Sequence, residues 1–309
     1  MNRYHGFMIG VLCFTVLMSS GCGNRAADVS GSAGGADKEI MDVVTTPGKA
    51  EAAAAESPVS VKRSPLAGKK VSILGDSIST FTGYIPADYS TFYPENGGIT
   101  NVGDTWWMRV INESQAVYCA DASYSGSETC GLSTEQTDGR PGVGYRRLKD
   151  LTSSDGTKPD VVFVYMGAND LLCSRPIGDN DGTRAVKEGY IDNFSDAYSL
   201  MLDKIKVLYP NVKIYCITFH EICRWDDAGK GCAFKSNIGL VSSEYDDRIK
   251  IIAKNKGIPV LDVYDGCGID PDTARQLTLD GTHPNAQGAA QITNCILRDI
   301  SSLENDGVK

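Results

Sequence analysis

Five short apolar runs, separated by stretches of helical period, constrain this chain more than any other feature. They lie at Lys70–Leu74, Ala116–Ala120, Asp160–Met166, Val212–Phe219 and Ile258–Val263. Runs such as VVFVYM lack the in–out alternation of a half-exposed strand and read as parallel strands covered on both faces. Between and after them the apolar spacing lengthens to that of a helix. Asn193–Tyr209 puts Phe194, Tyr198, Met201, Leu202, Ile205 and Leu208 on one face. Val241–Lys256 and Asn285–Leu303 do the same. Strands alternating with helices predict a three-layer α/β/α sandwich around a five-stranded parallel sheet, formed by one domain over residues 65–305.

The N-terminus reads as a targeting segment. Arg3 is followed by an apolar stretch, Gly6–Met18, too short for an ordinary spanning helix, and then by Ser19, Ser20, Gly21 and Cys22. This resembles a bacterial lipoprotein signal in which Cys22 is lipidated, with Ser19 where an aliphatic residue is usual. An ordinary secretory signal cleaved nearby is the alternative. Residues 1–22 are therefore expected to be signal, 23–64 a disordered tether rich in Ala, Gly and Ser, and 306–309 a tail. The expected location is outside the cytoplasm, periplasmic or on the cell surface, with membrane contact only through the lipid. A net charge of -9 argues against nucleic-acid or anionic-membrane partners. No protein partner is expected.

In open parallel sheets a site forms beyond the carboxyl ends of the strands. Four polar, glycine-containing turns fall there: Gly75-Asp76-Ser77, Ser123-Tyr124-Ser125-Gly126, Gly167-Ala168-Asn169-Asp170 and Asp280-Gly281-Thr282-His283-Pro284. In this order they resemble the blocks of the SGNH (GDSL-type) hydrolases, a family with a flavodoxin-like fold. Ser77 stands in the GDS block, Gly126 in the glycine block, Asn169 in the GxND block, and Asp280 and His283 in the DxxH block. The chain departs upstream of Gly126, where the family often carries Asn and this sequence has Asp121 and Ala122.

The chemistry implied by the resemblance also suits the residues. A serine hydroxyl needs a base to become a nucleophile, and His283 is the natural base, with His220 its competitor in the exported domain. Asp280, three residues earlier, can share a turn with His283 and hold its tautomer. Pro284 suits the first turn of the following helix. The N–H groups of Ser77 and Gly126 and the Asn169 amide would receive the oxyanion. The plainer alternatives are a helix cap for Asn169, a turn glycine at 126, a helix-terminal charge for Asp280 and a structural role for His283. Asp76, Trp106, Trp107 and His220 are candidate substrate contacts, and the aromatic segment Phe81–Trp107 is a candidate sugar-stacking wall. No metal or organic cofactor is required.

These features predict a serine esterase acting on an acylated small molecule or glycan, with acetyl groups on carbohydrate the foremost substrate. A lipase or lysophospholipase-like esterase is the alternative on the same site. A non-catalytic carbohydrate-binding module is the alternative from another class. A metal-dependent phosphatase built on Asp76 and Asp170 lacks the expected ligand cluster, and no G-x-S-x-G elbow occurs. Eight cysteines follow Cys22, allowing 105 complete pairings, of which Cys223–Cys232 and Cys119–Cys130 are the most local. Cys216 reads as a buried free thiol.

Overall fold

The computed structural model describes residues 63–134 and 140–306. The signal segment, Cys22 and nearly all of the tether lie outside the described residues. Five strands form one parallel sheet: β1 (Lys70–Gly75), β2 (Val117–Asp121), β3 (Val161–Tyr165), β4 (Lys213–Ile217) and β5 (Val260–Leu261). Their order is β2-β1-β3-β4-β5, the flavodoxin-like order, in which the chain changes direction across the sheet between β1 and β3. β3 is buried along its whole length, and each of its apolar side chains contributes about 1.5–3 kcal/mol by leaving water.

Six helices matter to the argument: α1 (Trp106–Glu113), α2 (Tyr145–Lys149), α3 (Ala168–Leu172), α4 (Phe194–Leu208), α5 (Ser242–Asn255) and α6 (Ala286–Asp306). Right-handed crossovers send chain leaving β1 in one direction and chain leaving β3 in the other to opposite faces of the sheet. Accordingly α1 packs on α6, while α4 packs on both α2 and α5. The apolar stripe of α4 fills the core with Phe194, Tyr198, Met201, Leu202 and Ile205. Its start is set by Asn193, whose side chain accepts from the N–H of Asp196 at 3.0 Å.

Three local expectations change. All eight cysteines after Cys22 are free. In the ribbon formed by Cys223–Trp225 and Gly231–Ala233, Cys223 stands opposite Ala233 and Cys232 opposite Arg224. The two thiols are thus one residue out of step and face opposite sides of the ribbon, one buried and one exposed. Cys119 is on β2, donating to the Thr157 carbonyl at 3.4 Å, whereas the N–H of Cys130 is bound to Asp170 at 3.0 Å. Finally, Pro284 lies before α6 rather than in its first turn. Asn285 caps that helix instead, accepting from the N–H groups of Gln287 and Gly288, each at 3.0 Å.

Candidate active site

The turn after β1 is closely packed. A Cβ on Gly75 would lie 2.4 Å from Ser79 Oγ, so the chain can pass only as glycine. Asp76 does not face solvent as a substrate contact would: it is 1% exposed. Its Oδ1 accepts the N–H of Ile78 at 3.0 Å, and its carbonyl accepts that of Ser79 at 3.0 Å. Burial pushes the Asp76 carboxyl up to about 6, against the pull of the Ile78 N–H and the nearby His283 and Arg147. Asp76 therefore shapes the turn that carries Ser77.

Ser77 and His283 meet across 206 residues, with Oγ 2.9 Å from Nε2. His283 Nδ1 lies 2.8 Å from Asp280 Oδ2. The other Asp280 oxygen accepts the N–H groups of Thr282 and His283 at 2.9 and 2.8 Å. Burial alone would raise the Asp280 carboxyl, but these bonds and the imidazole beside it hold it at about 2. A carboxylate facing Nδ1 places the ring proton there, leaving Nε2 as an acceptor for the serine hydroxyl. The loop is braced from behind by the Cys223 ribbon. The N–H of Cys223 donates to the Gly281 carbonyl at 2.8 Å, and Arg224 Nη1 donates to Thr282 Oγ1 at 2.9 Å. Gly281 has φ of +84°, and a Cβ there would meet the Cys223 carbonyl at 2.2 Å.

Gly126 and Asn169 follow the two strands that flank β1. The Gly126 loop is tied to the Ser77 turn by the Tyr124 N–H, which donates to the Gly75 carbonyl at 3.1 Å. Gly126 has φ of +76° and nothing within 4 Å of where a Cβ would stand. Asn169 lies in the first turn of α3. Among the described residues, no group accepts from the Ser77 N–H, the Gly126 N–H or the Asn169 amide. Asp170 joins the two loops, accepting the N–H groups of Thr129 and Cys130 at 2.7 and 3.0 Å. Asp121 is likewise structural. It is buried, accepts the Ser123 N–H at 2.8 Å, and is pushed up to about 7 by burial.

The other candidate contacts are all buried. Trp106 and Trp107 are 1% and 0% exposed and cannot stack on a sugar. Their indole N–H groups donate to Ser79 Oγ at 3.1 Å and to the Ser79 carbonyl at 2.8 Å, bracing the Ser77 turn from within. His220, 0% exposed, donates from Nε2 to the Thr282 carbonyl at 2.9 Å and accepts from the Tyr165 hydroxyl at 3.0 Å through Nδ1. It holds the peptide that leads into His283.

Burial lowers His220 to about 4. The folded chain then takes up this proton only near pH 4, whereas the unfolded chain takes it up near 6.5. Stability tied to His220 is therefore present above pH 6.5 and lost as pH falls to 4, by roughly 3 kcal/mol. Compared with wild type, His220→Gln is expected to lose less stability over that window in denaturant melts. Equal loss in both proteins would contradict the assignment.

Sequence reasoning missed Arg147 and named Phe92 only as one aromatic of the candidate sugar-stacking segment. Arg147 is fully buried in α2 and donates from Nη2 to the Gly75 carbonyl at 2.7 Å. Nothing in the local pattern separates it from its neighbour Arg146, which pairs with Asp88 at the surface. Phe92, within the aromatic segment, stacks on His283 with ring centroids 3.6 Å apart.

Parallel strands in this order, with polar turns gathered at their carboxyl ends, define a flavodoxin-like α/β fold with its site at that edge of the sheet. The sequence profile of the GDSL-like Lipase/Acylhydrolase family matches residues 69–230. A crystal structure named as a GDSL-like lipase from Bacteroides uniformis is 28% identical, with a TM-score of 0.56, covering 76% of this chain and 96% of its own. One from Bacteroides ovatus is 24% identical with a TM-score of 0.55, covering 76% and 99%. No curated protein matches the chain. The chain belongs to the GDSL-like lipase/acylhydrolase family and is an ester hydrolase.

Proposed function

We propose that this ester hydrolase is an extracytoplasmic serine esterase, anchored through Cys22, that removes acetyl groups from carbohydrate by a Ser77–His283–Asp280 mechanism. The observation that carries the mechanism is the 2.9 Å contact between Ser77 Oγ and His283 Nε2, backed by the 2.8 Å contact to Asp280. Ser77 Oγ bonds to the ester carbonyl carbon while its proton passes to Nε2, and the carbonyl electron pair moves onto oxygen. The N–H groups of Ser77 and Gly126 and the Asn169 amide receive that oxyanion. The oxyanion then collapses, breaking the carbon–oxygen bond to the alcohol, which leaves with the proton from Nε2. Water attacks the acyl-enzyme in the same way, releasing the acid and restoring Ser77 Oγ–H.

A short acyl group is favoured over a long one because the sequence offers no large apolar lid segment to cover a long acyl chain. Carbohydrate is favoured by the export signal, since an enzyme tethered outside the cytoplasm meets acylated glycans. The buried tryptophans contribute nothing to that choice.

Hydrolysis of p-nitrophenyl acetate, butyrate and octanoate by the domain, beside Ser77→Ala, tests the reading. Serine-dependent turnover falling steeply with chain length is expected, followed by acetate release from acetylated glycans. Faster turnover of octanoate would replace the deacetylase reading with the lipase one. Glycan binding without serine-dependent turnover of any ester would favour a binding module.

A further inference from the structure

The segment between β1 and α1 reaches the base through one side chain. The Phe92 ring lies parallel to the His283 imidazole, with centroids 3.6 Å apart and planes 7° from coplanar. The backbone of the same residue reaches the nucleophile. The Phe92 N–H donates to Thr80 Oγ1 at 2.8 Å, and that hydroxyl donates to the Ser77 carbonyl at 3.1 Å. The next residue, Tyr93, is buried and donates its hydroxyl to the Pro284 carbonyl at 2.6 Å. Its ring meets Phe92 at 4.8 Å with planes 77° apart. Phe92 is thus tied at one end to the residue bearing the hydroxyl and, through Tyr93, to the peptide just after the base.

We propose that Phe92 is a positioning residue for ester hydrolysis, holding the plane of His283 and supporting the imidazolium that forms when Ser77 gives up its proton. The proposal rests on the Ser77–His283–Asp280 reading above. The bond from Nδ1 to Asp280 fixes one edge of the imidazole but leaves it free to swing about that bond. A flat ring packed on its face removes the swing and keeps Nε2 aimed at Ser77 Oγ. The negative face of an aromatic ring also attracts a cation. That attraction grows only as the imidazole takes up the proton, so it stabilises the transition state more than the resting state and acts on kcat rather than KM. An aliphatic side chain of similar size fills the space and lacks both the flat surface and the quadrupole.

The test is kcat and KM for p-nitrophenyl acetate of Phe92→Leu, Phe92→Met and Phe92→Tyr, measured beside wild type and Ser77→Ala. The Leu and Met variants are expected to lose about tenfold in kcat with KM changed by less than about twofold, while Tyr stays within about twofold of wild type. Circular dichroism checks that each variant folds, and two aliphatic variants keep the test independent of either one folding. Wild-type kcat in a folded Leu or Met variant would overturn the proposal. So would equal impairment in all three, which would make Phe92 a packing residue. Full activity in Ser77→Ala would remove the mechanism on which the proposal rests, a failure visible without any Phe92 variant.

Discussion

Ser77→Ala is expected to lower kcat for p-nitrophenyl acetate on the order of 10⁴- to 10⁶-fold, with the fold unchanged. The variant removes the atom proposed to bond to the acyl carbon, and neither neighbouring hydroxyl can replace it. Ser79 Oγ accepts the Trp106 N–H, and Thr80 Oγ1 donates to the Ser77 carbonyl. The folded state loses little, because the contact of the Ser77 side chain is with His283 and the turn is held by the carboxylate and carbonyl of Asp76. What activity remains would come from oxyanion donors acting on a water attack. Thermal melts of both proteins should agree within a few degrees. A folded Ser77→Ala protein with full activity would overturn the nucleophile assignment.

Asp280→Asn has the second largest expected effect, a loss in kcat on the order of 10³- to 10⁴-fold. The amide oxygen can still accept the N–H groups of Thr282 and His283, as Oδ1 does now. The loop should therefore keep its shape. The amide nitrogen, however, would face Nδ1 with a donor, which forces the ring proton to Nε2. A protonated Nε2 cannot take the proton of Ser77, and no carboxylate remains to steady an imidazolium. Ser77 and His283 both survive, so residual serine-dependent turnover should persist above that of Ser77→Ala. Single-turnover acylation rates separate the two variants. Wild-type acylation by Asp280→Asn would show that the carboxylate serves the loop rather than the base.

The sheet and its major helices were legible because their signals are local. Continuous apolar runs mark strands buried on both faces, and a 3.6-residue period marks the helices that cover them. The run Asp160–Met166 contains β3, and Asn193–Tyr209 contains α4 and its Asn193 cap. Ser77, Gly126, Asn169, Asp280 and His283 were legible as short polar blocks, the first three each soon after a strand and the last two after a longer connection.

Burial was not legible in the same way. Trp106 and Trp107 lie at the start of an amphipathic helix, and only the position of Ser79 shows that their N–H groups point inward. His220 follows β4 as a rim residue would, yet it is sealed between Tyr165 and Thr282. The spacing of Cys223 and Cys232 suits a bridge, but a one-residue offset in the ribbon turns the thiols to opposite faces.

By itself the sequence determined the class of fold, the chain order of the turns and the residue types available for acyl transfer, since these depend on hydrophobic period and covalent order. Tertiary structure alone decided which of those residues meet. Ser77 reaches His283 across 206 positions, Tyr93 reaches Pro284 across 191, and Phe92 lands flat on the imidazole. Such contacts follow from strand order and crossover hand, which bring distant turns to one edge of the sheet, and no local pattern encodes the side-chain packing that results.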